Sequence, residues 1–558
     1  MSVTRAPGPL SVRFEEAPPG RPAAPAPPSW RRWADPRRPV TAAALTAAVL
    51  HLVWALFLAT EGGDLAAQAA WTDFAAEHPG AAYSFSWYGG MHPASYSVVS
   101  PYVMALFGIR TVATVTGVLS AVLTAHLLVR FRAPVALPAA VWAAFALACN
   151  SASGRTTFGL GLTFALGATV LVFTRRGTPA LRGAGMVACG LAASLASPVA
   201  GLFLLVLAGA LVLTRRFRVA VAVGAGLPLV SGTTSVLFPF NGVQPISFDA
   251  IVLPTVASVL AILFCAPATW WFVRIAAGVY LAGILLTWLI PSPVGSNVER
   301  LSLLFGGMFL LVAIGCVRGR AKLTALSLAF VVTAAWQVVK PVDDLVHTEP
   351  AGRAADHARG LVAELEALDA DESRIEVVPL RSHWESSGLA RGFVLARGWN
   401  RQVDAERHGL FYEDGALTAE SYRAWLDEWA VKWVVLPAQE VDWAAEDEAA
   451  LVRSEPAYLA EVWRDDHWRL FRVRHATPLV DAPGTVTRLT AGELVVDMPS
   501  AGSVLVRVAW SPWLDVSGPG AGCLRREGEF VRLRVPSAGR YTLAARYGAL
   551  GHGTHCPA

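Results

Sequence analysis

The sequence predicts an α-helical polytopic membrane protein with a water-soluble C-terminal region, and three observations lead there. Of its 558 residues, 54% are hydrophobic and only 16% are charged, with a mean hydropathy of +0.46. A soluble globular chain carries roughly 25% charged residues. The charges are sparse between residues 40 and 340 and dense after them. Apolar runs recur through that sparse region, bounded by basic residues, proline or glycine, and ~20 such residues span a hydrocarbon core about 30 Å thick.

Residues 1–39 are rich in proline, alanine and glycine and lack apolar periodicity. Such a segment buries too little surface to offset its chain entropy, so a disordered cytoplasmic tail is expected. The first run, 40–60, is too long for a signal-peptide core, and no small-residue cleavage site follows it. Further runs lie at 111–129, 134–149, 156–173, 183–196, 199–213, 219–238, 248–265, 269–290, 301–317 and 323–339. Together they predict about eleven spans within a membrane domain over 40–340.

Short cytoplasmic loops carry an excess of Lys and Arg. With the N-terminus inside, the inner side receives Arg31, Arg32, Arg37, Arg38, Arg130, Arg132, Arg175, Arg176, Arg182, Arg215, Arg216, Arg218, Arg274, Arg318, Arg320 and Lys322. The outer edges receive only Arg110, Arg155, Arg300 and Lys340. An odd number of spans then leaves everything after Lys340 outside the cytoplasm. The net charge of +4 includes no basic block that would bind nucleic acid.

Polar residues kept against the preference of lipid mark where function resides. The long first outer loop, 61–100, opens with Gly62-Gly63 and then Asp64, at a helix start. There a carboxylate can accept backbone N–H bonds and complements the helix dipole. Asp64, Gln68 and Trp71 share one face of a short amphipathic helix by their spacing. The stretch Trp87-Tyr88-Gly89-Gly90-Met91-His92-Pro93 leads on to Ser95, Tyr96 and Tyr102. Its aromatics are expected at the interface, rings toward lipid and polar tips toward water. A capping aspartate and aromatic anchors are the alternative to a functional loop.

This arrangement, Gly-Gly-Asp just after the first span, a polar helix, then Trp-Tyr-Gly-Gly and a proline-containing helix, resembles the first outer loop of the C-superfamily (GT-C) glycosyltransferases. The similarity is greatest to actinobacterial cell-envelope sugar transferases. It implies a polytopic enzyme that uses a polyprenyl-phosphate sugar donor and ends in an extracytoplasmic domain. Members often carry an acidic pair in this loop, whereas here Asp73 lies nine residues beyond Asp64, on the other side of a continuous helix. By this resemblance Asp64 is the expected general base. Arg300, with Arg155 and His92, is expected to hold the donor phosphate, supported by Gln68, Tyr88 and Asn297. Arginine suits phosphate because its planar fork donates two parallel hydrogen bonds. The alternative for Arg155 and Arg300 is headgroup snorkelling, with Glu299 holding Arg300.

Residues 341–475 mix helices and strands, with strands expected at 375–379, 432–436 and 468–473 and a helix capped by Thr418. From 476 to 558 short alternating segments separated by Gly, Pro and Ser predict a β-sandwich-like domain. Its Trp510 and Trp513 are expected either to stack on sugar or to pack in the core. Cys149, Cys189, Cys265 and Cys316 fall in spans and behave as small apolar residues. Cys523 and Cys556 fall outside, where disulfides persist, and are expected to pair. No metal-ligand spacing rises above a terminal His552–His555–Cys556 cluster. No phosphate-binding glycine loop, nucleotide fingerprint or serine elbow is present, so no cofactor is required by the sequence.

The function expected is transfer of a sugar from a polyprenyl-phosphate donor to an envelope glycan, glycolipid or protein acceptor. A transporter or lipid-linked-sugar flippase and a noncatalytic envelope scaffold are the alternatives. No internal repeat and no charge deep within a span favours transport. The orientation is directly measurable. A reporter active only in the cytoplasm should work when fused after Val129 or Arg216 and be silent after Pro350, and activity at Pro350 would reverse the assignment of the C-terminal region.

Overall fold

The computed structural model describes residues 38–60, 63–240, 242–244, 246–548 and 555–556. The tail expected over 1–39 lies, up to residue 37, outside these residues, as do Gly62 and His552. Eight described helices are long and apolar enough to cross a membrane: Pro39–Leu58, Ile109–Arg130, Thr156–Phe173, Pro179–Ala196, Phe217–Leu237, Ala268–Leu289, Gly295–Ile314 and one starting at Arg320. Three shorter apolar helices, Ala136–Ala152, Pro198–Leu213 and Pro254–Cys265, occupy the remaining apolar runs. Each falls short of the ~20 residues of a straight crossing. The chain is thus a multi-pass membrane protein, mostly helical, with a β-sheet region at its C-terminal end.

The spans pack through small residues. Ala139, Ala140, Ala143 and Ala144 face Ala43, Ala47, Ala121 and Ala125, all buried. Such seams let backbones approach where water supplies no hydrophobic drive. Leu52, Phe57, Leu106, Val236 and Leu289 point outward, as lipid-facing residues do. The last helix, Arg320–Val346, has 27 residues and is about 40 Å long. It exceeds the hydrocarbon thickness and carries the chain into the C-terminal region.

That region begins with helix Ala351–Ala367 and a five-stranded mixed sheet, in the order Val394–Leu395, Arg374–Val377, Val431–Pro437, Trp468–Val473, Leu459–Arg464. Its first three strands are parallel and the last two antiparallel. Thr418 caps helix Ala419–Glu428, whose Tyr422, Trp425 and Leu426 are buried. Beyond it two antiparallel sheets face each other. One contains Cys523–Glu527, Phe530–Val535 and Gly502–Val506. The other contains Thr485–Leu489, Glu493–Met498, Gly539–Ala545 and Leu514–Ser517. Leu494, Val496 and Met498 from one sheet meet Val504, Val506, Val531 and Leu533 from the other. Cys523 and Cys556 are joined in a disulfide, and Cys556 N donates to Leu524 O, so the chain end is held on the edge of the smaller sheet.

The first outer loop departs from expectation. Its aromatics do not anchor at lipid. Tyr83, Phe85, Trp87 and Tyr88 are each at most 2% exposed, covered by the two C-terminal domains. The loop backbone is stitched to both. Ala82 N donates to Ala545 O, Phe85 N to Ala491 O and Ala509 N to Gly89 O on the sandwich side, while Leu395 N donates to Ser86 O on the other. The reason is the hydrogen-bond demand of a buried backbone, which lipid cannot meet and a neighbouring domain can. Trp513 is likewise core, stacked on Phe238 at 5.0 Å with its indole N–H donating to Leu237 O, and has no open face for a sugar. Trp510 is partly buried beside His555.

The tight point of this loop is Gly90, at φ +124°, where a Cβ would sit 2.1 Å from the Tyr83 hydroxyl. Tyr83 is held by its own bond to Ala509 O and cannot yield. Gly90→Ala is therefore expected to destabilise the protein by about 3 kcal/mol or more, seen as a lowered Tm. Gly80→Ala, where nothing lies within 4 Å, should leave Tm unchanged.

Candidate functional site

Helix Asp64–Glu77 lies across one end of the bundle, the end that meets the C-terminal domains, and Gln68 locks it there. The Gln68 side-chain oxygen accepts from Thr157 N at 2.9 Å and from the Thr157 hydroxyl at 3.2 Å. Its amide donates to Asp64 O at 3.1 Å and to Gly154 O. Gly154 has φ +70°, and a Cβ there would meet Leu65 N at 2.6 Å, so glycine is what permits the close approach. On the other side Gly63 N donates to Ser382 O, tying the start of the helix to the C-terminal domain.

Asp64 is the first residue of this helix, yet its carboxylate caps nothing. It turns instead to Arg155 Nε at 3.4 Å and Arg300 Nη2 at 3.6 Å. Arg155 precedes helix Thr156–Phe173 and Arg300 begins helix Arg300–Ile314, so three helix N-termini meet at one point. Cations are disfavoured at the positive end of a helix dipole, and the carboxylates offset this. The Arg300 guanidinium also lies over the Phe158 ring, 5.3 Å from its centroid. Buried Glu299 does not hold Arg300. It pairs with Arg155 at 3.9 Å and with Lys340 at 3.4 Å. Asp344, one helical turn beyond Lys340, bonds Ser153 within range of the Arg155 charge. The Tyr96 phenol completes the group, pushed above its usual range by burial and by the Asp64 charge.

Beside this cluster lies a small cleft. Arg155, Arg300 and Lys340 line it together with Asn150, Gln337 and apolar Leu303 and Leu304. The arginines are largely buried, while the Asp64 side chain, 36% exposed, borders water. The arrangement can hold an anionic group against the cations and present a carboxylate to something arriving from solvent.

Asp64, Arg155, Arg300 and Gln68 are thus brought together, and three other expected residues are not. His92 is a correction: it is 5% exposed and both ring nitrogens are engaged. Nδ1 donates to Ala82 O at 2.6 Å, and Nε2 accepts from the Ser511 hydroxyl at 3.0 Å. It docks the sandwich and has no atom left for phosphate. Tyr88 is also a docking residue, fully buried, donating to Gly398 O at 2.7 Å and accepting from Asn400 N at 2.9 Å. Asn297 closes its own turn by donating to Val294 O at 3.0 Å. Glu299, Lys340, Asp344 and Tyr96 join the cluster although the sequence does not mark them as its members. The signal for two of them was the i, i+4 pair Lys340 and Asp344 at the polar end of an apolar helix.

An acidic pair of the kind common in GT-C loops does not form. Asp73 faces away from Asp64 and binds Arg391 at 2.8 Å. Among the described residues no three His, Cys, Asp or Glu side chains are grouped to hold a metal ion.

A family described as a domain of unknown function (DUF8823) matches residues 481–558, the sandwich. No curated protein matches the chain. A solved structure, a cryo-EM structure of a mutant arabinofuranosyltransferase AftD from Mycobacteria, aligns at 12% identity with a TM-score of 0.41. The alignment covers 92% of this chain and 61% of that one, so this chain spans about 61% of the length of the protein it matches.

The state of His92 has a consequence for pH. Burial, reinforced by the Arg407 charge and opposed by the Ala82 bond, pushes its pKa from 6.5 down to about 4. Between those values the unfolded chain binds a proton that the folded chain does not. Stability should therefore be full above pH 6.5 and decline as pH falls toward 4, by about 3 kcal/mol from this residue. His408, pushed by burial to about 3, adds to the same slope. Thermal melts of His92→Gln should show a lower Tm at neutral pH and a flatter decline between pH 6.5 and 4 than the parent.

Proposed function

We propose that this chain is a membrane glycosyltransferase moving a sugar from a polyprenyl-phosphate donor to an envelope glycan, glycolipid or protein acceptor on the outer side of the membrane. One observation carries the reading: the Asp64 carboxylate meets Arg155 and Arg300 beside a small cleft lined by three cations. A lipid-linked phosphate supplies the anion that such a group of cations would hold. The resemblance of the outer loop to GT-C enzymes points the same way.

In the reaction, an acceptor hydroxyl oxygen attacks the anomeric carbon. The bond from that carbon to the phosphate oxygen breaks, and its electron pair leaves with the lipid phosphate. Arg300 and Arg155 take up the charge through directional hydrogen bonds. The hydroxyl proton passes to Asp64, a positioned transfer that contributes roughly 10²–10⁴-fold. With no donor bound, both arginines face the Asp64 carboxylate. A phosphate competing for the same guanidinium groups would free the carboxylate, so the base is released only when there is a donor to use.

The scaffold alternative gives Asp64 and the arginines a structural role alone. Sugar transfer and donor binding in purified, folded variants separate the two. Asp64→Asn should bind the donor as well as or better than the parent and lose about 10²-fold or more in turnover. Arg300→Lys keeps the charge without the fork, so donor binding should weaken by about tenfold and turnover fall with it. Full turnover in Asp64→Asn would remove the proposed base.

A further inference from the structure

Three consecutive residues of the C-terminal region reach three different parts of the fold. The Arg381 guanidinium donates to Asp343 at 2.9 Å, near the end of the long helix that leaves the membrane domain. Ser382 O accepts from Gly63 N, one residue before Asp64. The His383 ring donates to buried Asp442 at 3.2 Å. The strap is closed at its base, where Arg381 N donates to Glu440 O and Asp442 N to Pro379 O. Trp384, the next residue, packs in one apolar cluster with Trp71 and Phe74 of helix Asp64–Glu77.

His383 is built into this strap against resistance. It has φ +55°, a left-handed conformation uncommon for a residue with a side chain. It is 4% exposed, and its ring lies flat on Trp399 with centroids 3.5 Å apart. Nε2 faces Asp442, and Nδ1 stands 3.6 Å from Glu385 Oε1. Arg401 holds Asp442 through two further bonds of 2.8 Å and also donates to the Tyr412 hydroxyl. A neutral imidazole has a single N–H, so one ring nitrogen would turn a lone pair toward a carboxylate oxygen. The charged ring points a donor at both carboxylates. Burial works against that charge, the two carboxylates outweigh it, and the pKa lies above 6.5.

We propose that His383 is a positioning residue for the reaction centre: clamped between Asp442 and Glu385, it holds Ser382 O where Gly63 N meets it, and so sets where Asp64 stands against Arg155 and Arg300. The proposal deepens the transferase reading and rests on it for the reaction, while the clamp stands without it. The clamp is complete below pH 6.5 and is lost as pH rises through the raised pKa of the folded protein. Helix Asp64–Glu77 should therefore loosen at its first turn on the alkaline side.

The test uses the full chain in nanodiscs and amide hydrogen exchange of residues 63–67, corrected for the intrinsic pH dependence of exchange. In the parent, protection of this segment should fall as pH rises through the His383 pKa. His383→Gln keeps a hydrogen bond and loses the charge, so it should exchange there about tenfold faster near pH 6.5 and show no such fall. Glu385→Gln leaves the ring and its Asp442 bond in place, and should move the loss of protection to lower pH. Strand Glu493–Met498 of the sandwich should exchange alike in all three. With polyprenyl-phosphate glucose, mannose or arabinose offered as donor, His383→Gln should lose about tenfold in turnover at unchanged KM. Equal exchange of residues 63–67 in parent and His383→Gln, or a pH profile that Glu385→Gln does not move, would overturn the proposal. So would full turnover in His383→Gln where Asp64→Asn is inactive. Should His383→Gln fail to fold, the pH profile of Glu385→Gln alone decides. Full sugar transfer by Asp64→Asn would instead sink the catalytic reading and leave the exchange result standing.

Discussion

The backbone of residues 83–90 passes between two domains, and burying it obliges each of its polar groups to find a partner there. Tyr88, Gly89 and Gly90 all have positive φ, which turns the chain sharply enough to present carbonyls to both sides. Arg407 takes two of them, donating to Tyr88 O at 2.7 Å and Gly90 O at 2.8 Å. The sandwich takes Gly89 O through Ala509 N. With this loop fixed, helix Asp64–Glu77 is held from above by Arg391 on Asp73 and by Ser382 on Gly63, and from below by Gln68. The soluble domains therefore fix the helix on which the Asp64 carboxylate sits. Precision at a reaction centre comes from such support rather than from the reacting residues themselves.

The charges at that centre are arranged to be compensated without being satisfied. Arg155, Arg300 and Lys340 stand against Asp64, Glu299 and Asp344. The pair distances of 3.4–3.9 Å are longer than those of a well-made bidentate pair. Glu299 keeps one oxygen buried and unpartnered. A cluster selected for stability would close these contacts, as Arg397 does with Asp404 at 2.8 Å in the core of the C-terminal domain. Loose pairing around a cleft leaves each arginine free to change partner at little cost. That is what a site needs if a phosphate is to enter and leave it.

The span positions were legible because lipid imposes a one-dimensional rule: an apolar run of sufficient length with basic residues at its inner end. The charged cluster was partly legible. Arg155 and Arg300 stood out as basic residues on the side where the pattern places few, and Asp64 through the Gly-Gly-Asp arrangement that opens its loop. The docking residues were not. Tyr88 and His92 have the composition of an interfacial belt, and only the fold decides whether such residues meet lipid or another domain. Trp71 illustrates the limit. Its spacing placed it on the face of Asp64, but its indole packs edge to face on Trp87 at 5.2 Å, because a ring of that size is not confined to the face its Cα occupies. Glu299 looked like the partner of its neighbour Arg300, whereas adjacent residues at a helix start diverge and it serves Arg155 and Lys340 instead.

Helix Asp64–Glu77 has two working faces, and this follows from its surroundings more than from its sequence. A helix lying on one end of a membrane bundle and roofed by soluble domains has no solvent face of the ordinary kind. One side must meet the polar ends of the spans, and the other must meet the domains. The first side gathers charges, because helix N-termini and outer-edge arginines end there. The second gathers aromatics, because the roof must exclude water over a wide area. The helix that turns Asp64 toward Arg155 and Arg300 is thus the one on which Trp71 and Phe74 seat the domains. Any shift of the domains on that aromatic face would move the carboxylate with it.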